Sequence, residues 1–394
     1  MRAAQEAILA EMRRWGYRYV ATPTLEAVDV LSAGLGPDQI RRLFKFADAD
    51  GRLLALVGEK TVPVARLVGG ALRGAPLPLR LCYAGAVLTN DAGRFANRRE
   101  TQQAGAELIG APGAVADAEV IAMAARCLEA AGLREYQVDV GHSEFFHGVL
   151  AGLGLAREEE DAVRAALAGR DFVTLAALLE KTKLRRAERE LLLRFPALRG
   201  GVEILGAARE LVSDRRSARA LDELARVAEL LDAHGLGPAV NLDLGAIRDF
   251  EYYTGVTFEV YGSDLGRPLA HGGRYDRLLE RFGRPAPATG FVIQLDLLAG
   301  NLPLPVLHVA LAWTPKGLEQ ALKLAGTLRL FGLRVALAAE PLAAAAAARF
   351  REDVGARDLI HCSGAAAVSW SAGRASRRLP PEEVVGKLAG SVAR

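Results

Sequence analysis

The chain changes its hydrophobic period twice. Residues 79–88 (LRLCYAGAVL), 101–110 (TQQAGAELIG) and 136–142 (YQVDVGH) read as strands. Strands return at 239–245 (AVNLDLG) and in EYYTGVTFEVY, where polar and apolar residues alternate with period two. Between them, from 155 to 234, leucine, alanine, arginine and glutamate recur at helical spacing with no strand signal. A helical insertion into one antiparallel sheet accounts for both changes, and the fold class expected is α+β.

The flanking elements fill in this outline. Residues 1–16 read as an amphipathic helix closed by Gly16. DADG lies between the apolar runs 44–47 and 53–57, a hairpin signal. Residues 61–71 read as a helix that tolerates Pro63 in its first turn. Asp117 is placed as the cap of a helix running to Ala131 and stopped by Gly132. HGGRYDRLLERFG (271–283) opens on two glycines and ends in a helix, and GFVIQLDLLAG (290–300) is a strand leading into a helix. After LPLP (302–305), VLHVALAW, a helix, RVALAAE and another helix form a small α/β unit, with the alanine run 343–348 on a helix surface. The expected domains are 1–301, with the insertion at about 155–235, and 306–394.

Charge excludes some partners. Fifty basic and 47 acidic residues leave a formal charge of +3, without the clustered excess that grips a nucleic acid. Short pairs such as Arg185-Arg186 and Arg215-Arg216 fit solvated helix faces. Cys82, Cys127 and Cys362 are odd in number and far apart, so neither a disulfide framework nor a zinc knuckle is expected, and a reducing cytoplasm fits. The charged start lacks the apolar core of a signal peptide, and no uncharged apolar run reaches the ~18 residues of a membrane span. His142 and His147 are a poor match to metal-ligand spacing, so no metal is expected.

Polar side chains recur where the chain enters the sheet: Glu59 and Thr61 in VGEKT, Gln103 and Glu107 in TQQAGAELIG, and Arg248, Glu251, Tyr252 and Tyr253 in RDFEYY. Gln103 and Glu107 are four apart, which in a strand places both on one face. Acids, an amide, a phenol and an arginine together suit a small zwitterion. Spacing alone equally fits polar groups facing solvent on a half-exposed sheet.

The joint order of these segments is more specific. VGEKTVPVAR (57–66), CYAGAVL with RRETQQAGAELIG (82–110), DAEVIAMA (117–124), RDFEYYTGVTFEVYG (248–262), HGGRYDRLLERFG (271–283) and GFVIQLDLL (290–298) resemble histidyl-tRNA synthetases. They resemble more closely the regulatory-subunit paralogues of ATP phosphoribosyltransferase. The resemblance implies a class II aminoacyl-tRNA synthetase-like antiparallel sheet with helices, a helical insertion and a small C-terminal α/β domain. It also implies a histidine pocket, with Glu59, Thr61 and Gln103 at the ammonium, Glu107 and Tyr253 facing the imidazole, Arg248 at the carboxylate, and Tyr252 counted among the pocket residues. Gly272 and Gly273 would permit close backbone approach.

The pattern departs from a catalyst at two cations. Thr89 and Leu297 stand where the resemblance places the arginines that hold ATP phosphates. Neither can replace a bidentate guanidinium. Arg94 or Arg98 is a candidate substitute for one of them. Gly58 departs from the usual residue before the glutamate, and Lys60 intervenes between Glu59 and Thr61. The expected function is therefore a non-catalytic regulatory subunit in the first step of histidine biosynthesis. It would activate a short-form ATP phosphoribosyltransferase catalytic subunit in a hetero-octamer, self-associate as a dimer, and mediate feedback by L-histidine. No cofactor, membrane or tRNA binding is expected. The alternative is a divergent histidine–tRNA ligase.

Overall fold

The structure is a computed structural model that describes residues 1–90, 98–169, 171–212, 214–245, 253–263, 266–299, 307–372 and 375–392. It divides into two compact units, Met1–Leu302 and Pro303–Arg394.

The first unit is built on a nine-stranded sheet. Across it the order is Arg18–Tyr19, Leu79–Leu88, Glu100–Ile109, Ala288–Gln294, Ala270–Arg274, Val256–Gly262, Tyr136–His142, Val240–Asp243 and Arg199–Gly200. The central pairings are antiparallel, and the pairs Arg18–Tyr19 with Leu79–Leu88 and Tyr136–His142 with Val240–Asp243 are parallel. Strands before and after the helical block thus share one sheet.

Period-two alternation divides each central strand between two cores. Cys82, Ala104, Ala106 and Leu108 face one cluster, whereas Leu81 and Tyr83 face another. The first face is covered by the helices Arg2–Arg14, Ala114–Ala130 and Arg215–Ala233. Ala114–Ala130 lies close because much of its buried surface is alanine. Val120, Ile121, Met123 and Leu128 supply the bulk, and complete burial of such a side chain stabilises by ~1.5–3 kcal/mol. The second cluster gathers Val62, Val64, Ala65 and Val68 of the helix Thr61–Gly69 with Tyr275 and Leu278.

Several local expectations need correction. Asp117 does not cap its helix, whose N-cap is Gly113. It lies in the first turn, and its buried carboxylate meets the guanidinium of Arg274 at 2.9 and 3.1 Å. The two glycines of HGGRYDRLLERFG lie inside the strand Ala270–Arg274, and the segment ends in a 3-10 turn, Leu279–Phe282, rather than an α-helix. The insertion is not purely helical. After the helices Arg157–Ala168, Phe172–Lys181 and Arg186–Arg194, the two-residue strand Arg199–Gly200 pairs with Val240–Asp243 at the sheet edge.

The second unit carries a five-stranded sheet in the order Val335–Leu337, Leu307–Trp313, Ala356–Cys362, Val368–Ala372 and Ala375–Leu379. The first three strands are parallel, as an α/β unit requires, and the last two add antiparallel pairings that alternation did not foretell. Among the described residues no helix is long and apolar enough to cross a membrane.

The Arg274–Asp117 pair provides a test of the core. Asp117→Ala leaves a guanidinium only 6% exposed with the half-exposed Asp276 as its remaining carboxylate, and should cost ~3 kcal/mol in urea unfolding. Combining it with Arg274→Met should recover much of that loss, because no buried charge then remains uncompensated.

Candidate ligand cavity

Three rows of side chains cross the central sheet. Gly85, Gln103 and Gln294 are cross-strand neighbours, as are Tyr83, Gly105 and Val292, and then Leu81, Glu107 and Gly290. With the turn before the helix Thr61–Gly69, Tyr83, Gln103, Glu107, Gly290, Val292 and Gln294 of these rows line a cavity of about 170 Å³. Glu59, Lys60, Thr61, Tyr83, Thr89, Gln103, Glu107, Tyr253, His271 and Tyr275 all line it.

Glu107 is the most tightly held of these. Its carboxyl accepts a hydrogen bond from Thr61 Oγ1 at 2.9 Å, from the Tyr83 hydroxyl at 3.1 Å, and from the Tyr275 hydroxyl. It lies flat over Gly290, where a Cβ would come within 1.7 Å of a carboxylate oxygen. Glycine is therefore needed at 290. Burial pushes the Glu107 carboxyl up to about 8, against the pull of the three hydroxyls. Burial thus favours the neutral acid form of Glu107.

Glu59 is occupied differently. Its two oxygens accept the backbone N–H groups of Thr61 at 2.8 Å and Val62 at 2.9 Å, which would otherwise be unpaired at the start of the helix. Burial raises this carboxyl to about 7, partly offset by those N–H donors. Gln103 donates to Gln294 at 3.4 Å, within its own row. Tyr253 stands half-buried at the cavity wall, with its ring against Gly273, where a Cβ would meet it at 2.9 Å.

Five of the seven expected pocket residues therefore line one cavity: Glu59, Thr61, Gln103, Glu107 and Tyr253. Arg248 and Tyr252, with Glu251, lie outside the described residues, as does Arg94. Sequence reasoning missed Tyr83, Tyr275 and Gln294. The cross-strand register brings Tyr83 and Gln294 to the site, and Tyr83 also sits in the strand segment already singled out.

The two neutral positions are also located. Thr89 lines the cavity and its N–H donates to the Arg99 carbonyl at 2.9 Å. Leu297 packs against the main core from the short helix Leu295–Ala299. Arg98, a candidate substitute cation, is held by Asp296 at 3.0 Å. Among the described residues, Arg42 and Lys60 are the cations that line the cavity. His142 caps the helix Ser143–Gly152 by accepting from Glu144 N–H and faces Glu223, while His147 meets Arg164.

Comparison with known proteins decides the family. A family model described as histidyl-tRNA synthetase matches residues 1–298. The ATP phosphoribosyltransferase regulatory subunit of Moorella thermoacetica is 42% identical over 298 residues, spanning 76% of this chain and 77% of the relative. That of Desulforamulus reducens is 38% identical over 345 residues, spanning 86% of each. The chain belongs to the family of ATP phosphoribosyltransferase regulatory subunits.

A further regulatory-subunit relative, from Geobacter metallireducens, is 43% identical over 289 residues, and the match spans about two thirds (67%) of its length. A solved structure described as an ATP phosphoribosyltransferase regulatory subunit/histidyl-tRNA synthetase from Bacillus halodurans is 34% identical. It covers 92% of this chain and 94% of its own, with a TM-score of 0.77. Histidyl-tRNA synthetase from Nostoc sp. PCC 7120 covers 98% of this chain and 94% of its own with a TM-score of 0.81 at 19% identity, a likeness of fold. The regulatory-subunit family thus carries the class II synthetase-like α+β fold read from the sequence.

The raised carboxyls of this family member make its stability depend on pH. Burial lifts Glu107 and Glu59 above the 4.5 of an exposed glutamate, so the folded protein retains protons that the unfolded chain has released. Their stabilisation is complete below about pH 4.5 and is lost as pH climbs through about 7 and 8. Glu107→Gln keeps the shape and removes one titration. Between pH 6 and 9 the wild type should lose on the order of 2 kcal/mol more unfolding free energy than Glu107→Gln. Denaturant melts at the two pH values measure this, and parallel pH profiles would refute the buried-acid assignment.

Proposed function

We propose that this chain assembles with a short-form ATP phosphoribosyltransferase catalytic subunit, activates it, and conveys feedback by L-histidine. The phosphoribosyl transfer itself belongs to the partner. Resemblance supports a hetero-octamer of four regulatory and four catalytic subunits built on a regulatory dimer, working in the cytoplasm. Binding of tRNA is not expected.

One observation carries this reading beyond family membership. Polar groups suited to a small ligand line a single cavity, while Thr89 and Leu297 are neutral and Arg98 is engaged by Asp296. A triphosphate needs fixed cations where charge gathers in the transition state. A small polar ligand needs only complementary hydrogen bonds and charges. Histidine is the ligand proposed for the cavity, with Thr61, Gln103, Glu107 and Tyr253 from the described wall and Arg248 and Tyr252 from the adjoining segment. Glu59 contributes by holding the Thr61 turn in place.

The purified chain should show no histidine-dependent exchange of pyrophosphate into ATP. Added to its cognate short-form catalytic subunit, it should raise phosphoribosyl transfer. No rise with that partner rejects the proposal, and charging of tRNA-His by the chain alone would establish the ligase alternative instead.

A further inference from the structure

Gln294 is a buried amide to which the proposed function gives no task. It is 6% exposed and ends the strand Ala288–Gln294. Ile293 and Leu295, on either side of it, pack into the main core, so alternation turns Gln294 to the opposite face and into the cavity wall. Its backbone is fixed from both directions. The strand register sets it beside Gln103, its N–H donates to the Leu269 carbonyl at 2.8 Å, and the helix Leu295–Ala299 starts at the next residue.

The side chain makes little use of its hydrogen-bonding groups. A primary amide carries two N–H donors and a carbonyl with two lone pairs. Among the described residues Gln294 engages the carbonyl alone, which accepts from Gln103 Nε2 at 3.4 Å, a long bond. Both hydrogens on Gln294 Nε2, and the Oε1 of Gln103, then have no partner among those residues, although Gln103 is itself only 7% exposed. Turning both amides over reverses the shared bond and still leaves Gln294 one N–H to give. Gly85, the third member of this row, has no side chain to accept it. A donor held in a buried wall is costly until an acceptor reaches it.

We propose that Gln294 is a specificity-determining residue that donates to the carboxylate of the ligand, while the carbonyl of its neighbour Gln103 accepts from the ammonium. The two amides thus read the two charged ends of one α-amino acid from adjacent strands. This rests on the reading of the cavity as the ligand site, and it keeps the ammonium with Glu59, Thr61 and Gln103. A carboxylate offers about four lone-pair sites, so it has room for Gln294 as well as for the Arg248 already proposed for it. An N–H to a carboxylate is stronger than the amide-to-amide bond seen here. A neutral amide also leaves no buried charge when the cavity is empty.

Isothermal titration calorimetry on the full chain compares L-histidine with histidinol. Histidinol keeps the ammonium and the imidazole and replaces the carboxylate by a hydroxymethyl group. The wild type should bind L-histidine about tenfold or more tighter than histidinol, the scale of charge-assisted contacts. Gln294→Leu should weaken L-histidine about tenfold and histidinol less than about threefold, so the ratio of the two affinities falls. Gln294→Glu should lower that ratio further, because it sets one carboxylate against another.

Equal weakening of both ligands by Gln294→Leu would make the residue a structural support and overturn the proposal. Unchanged affinity for L-histidine would overturn it too. Only the ratio counts, so a general loss of folded protein does not imitate the expected result. If Gln294→Leu fails to fold, the nearly isosteric Gln294→Glu decides, and an unchanged ratio there overturns the proposal. If the wild type binds neither ligand, the reading of the cavity falls and takes the proposal with it. If the wild type binds L-histidine and the variants leave the ratio where it was, the proposal falls alone.

Discussion

A carboxyl group buried on the face of a sheet must find hydrogen-bond donors, and the architecture around Glu107 answers that requirement. Tyr83 comes from the neighbouring strand, Thr61 from the first turn of a helix, and Tyr275 from just beyond another strand. Tyr83 and Tyr275 also belong to the second hydrophobic cluster. The donors that satisfy the acid are thus anchored in the packing that closes the cavity wall. Gly290 admits the carboxyl to the sheet surface, so the site depends on one missing side chain as well as on those present. Polar satisfaction and hydrophobic packing share residues here.

Much of this was legible in the sequence, for a physical reason. Strands buried on two faces show their alternation directly, and 79–88 and 101–110 lie within a residue of the observed strands. Gln103 and Glu107 share a face because strand geometry leaves no other choice. The illegible parts depend on distant partners or on very short elements. An acid just before an apolar helical run looks like a cap, yet Asp117 answers to Arg274, which is 157 residues away. A two-residue strand such as Arg199–Gly200 has too little length to display a period. The paired glycines 272 and 273 resemble a turn in sequence, but in the strand they admit close neighbours: the Gly290 carbonyl at 272 and the Tyr253 ring at 273. Tyr83 looked like core because it is core, and its hydroxyl role emerges only from register.

The charges around the cavity divide into committed and available groups. Arg274 is spent on Asp117 and Asp276, Arg98 on Asp296, and Glu59 on a helix start. Lys60 makes no hydrogen bond or ion pair among the described residues, and the charge of Glu59 beside it opposes the downward pull of burial on its pKa. A signalling subunit needs a ligand to bind one state of an assembly better than another.

The same partition shows why the fold accommodates neutral residues at 89 and 297. Leu297 puts an apolar contact on the main core at its position, and the Thr89 backbone is tied to Arg99. Neither position depends on a charge for structural support. Glu107 differs, because three hydroxyl donors from three segments converge on it, so its removal leaves several polar groups to be satisfied elsewhere. A buried acid that satisfies hydroxyls from two sides of a cavity is also a structural residue, so the packing of the cavity wall itself holds Glu107 in place.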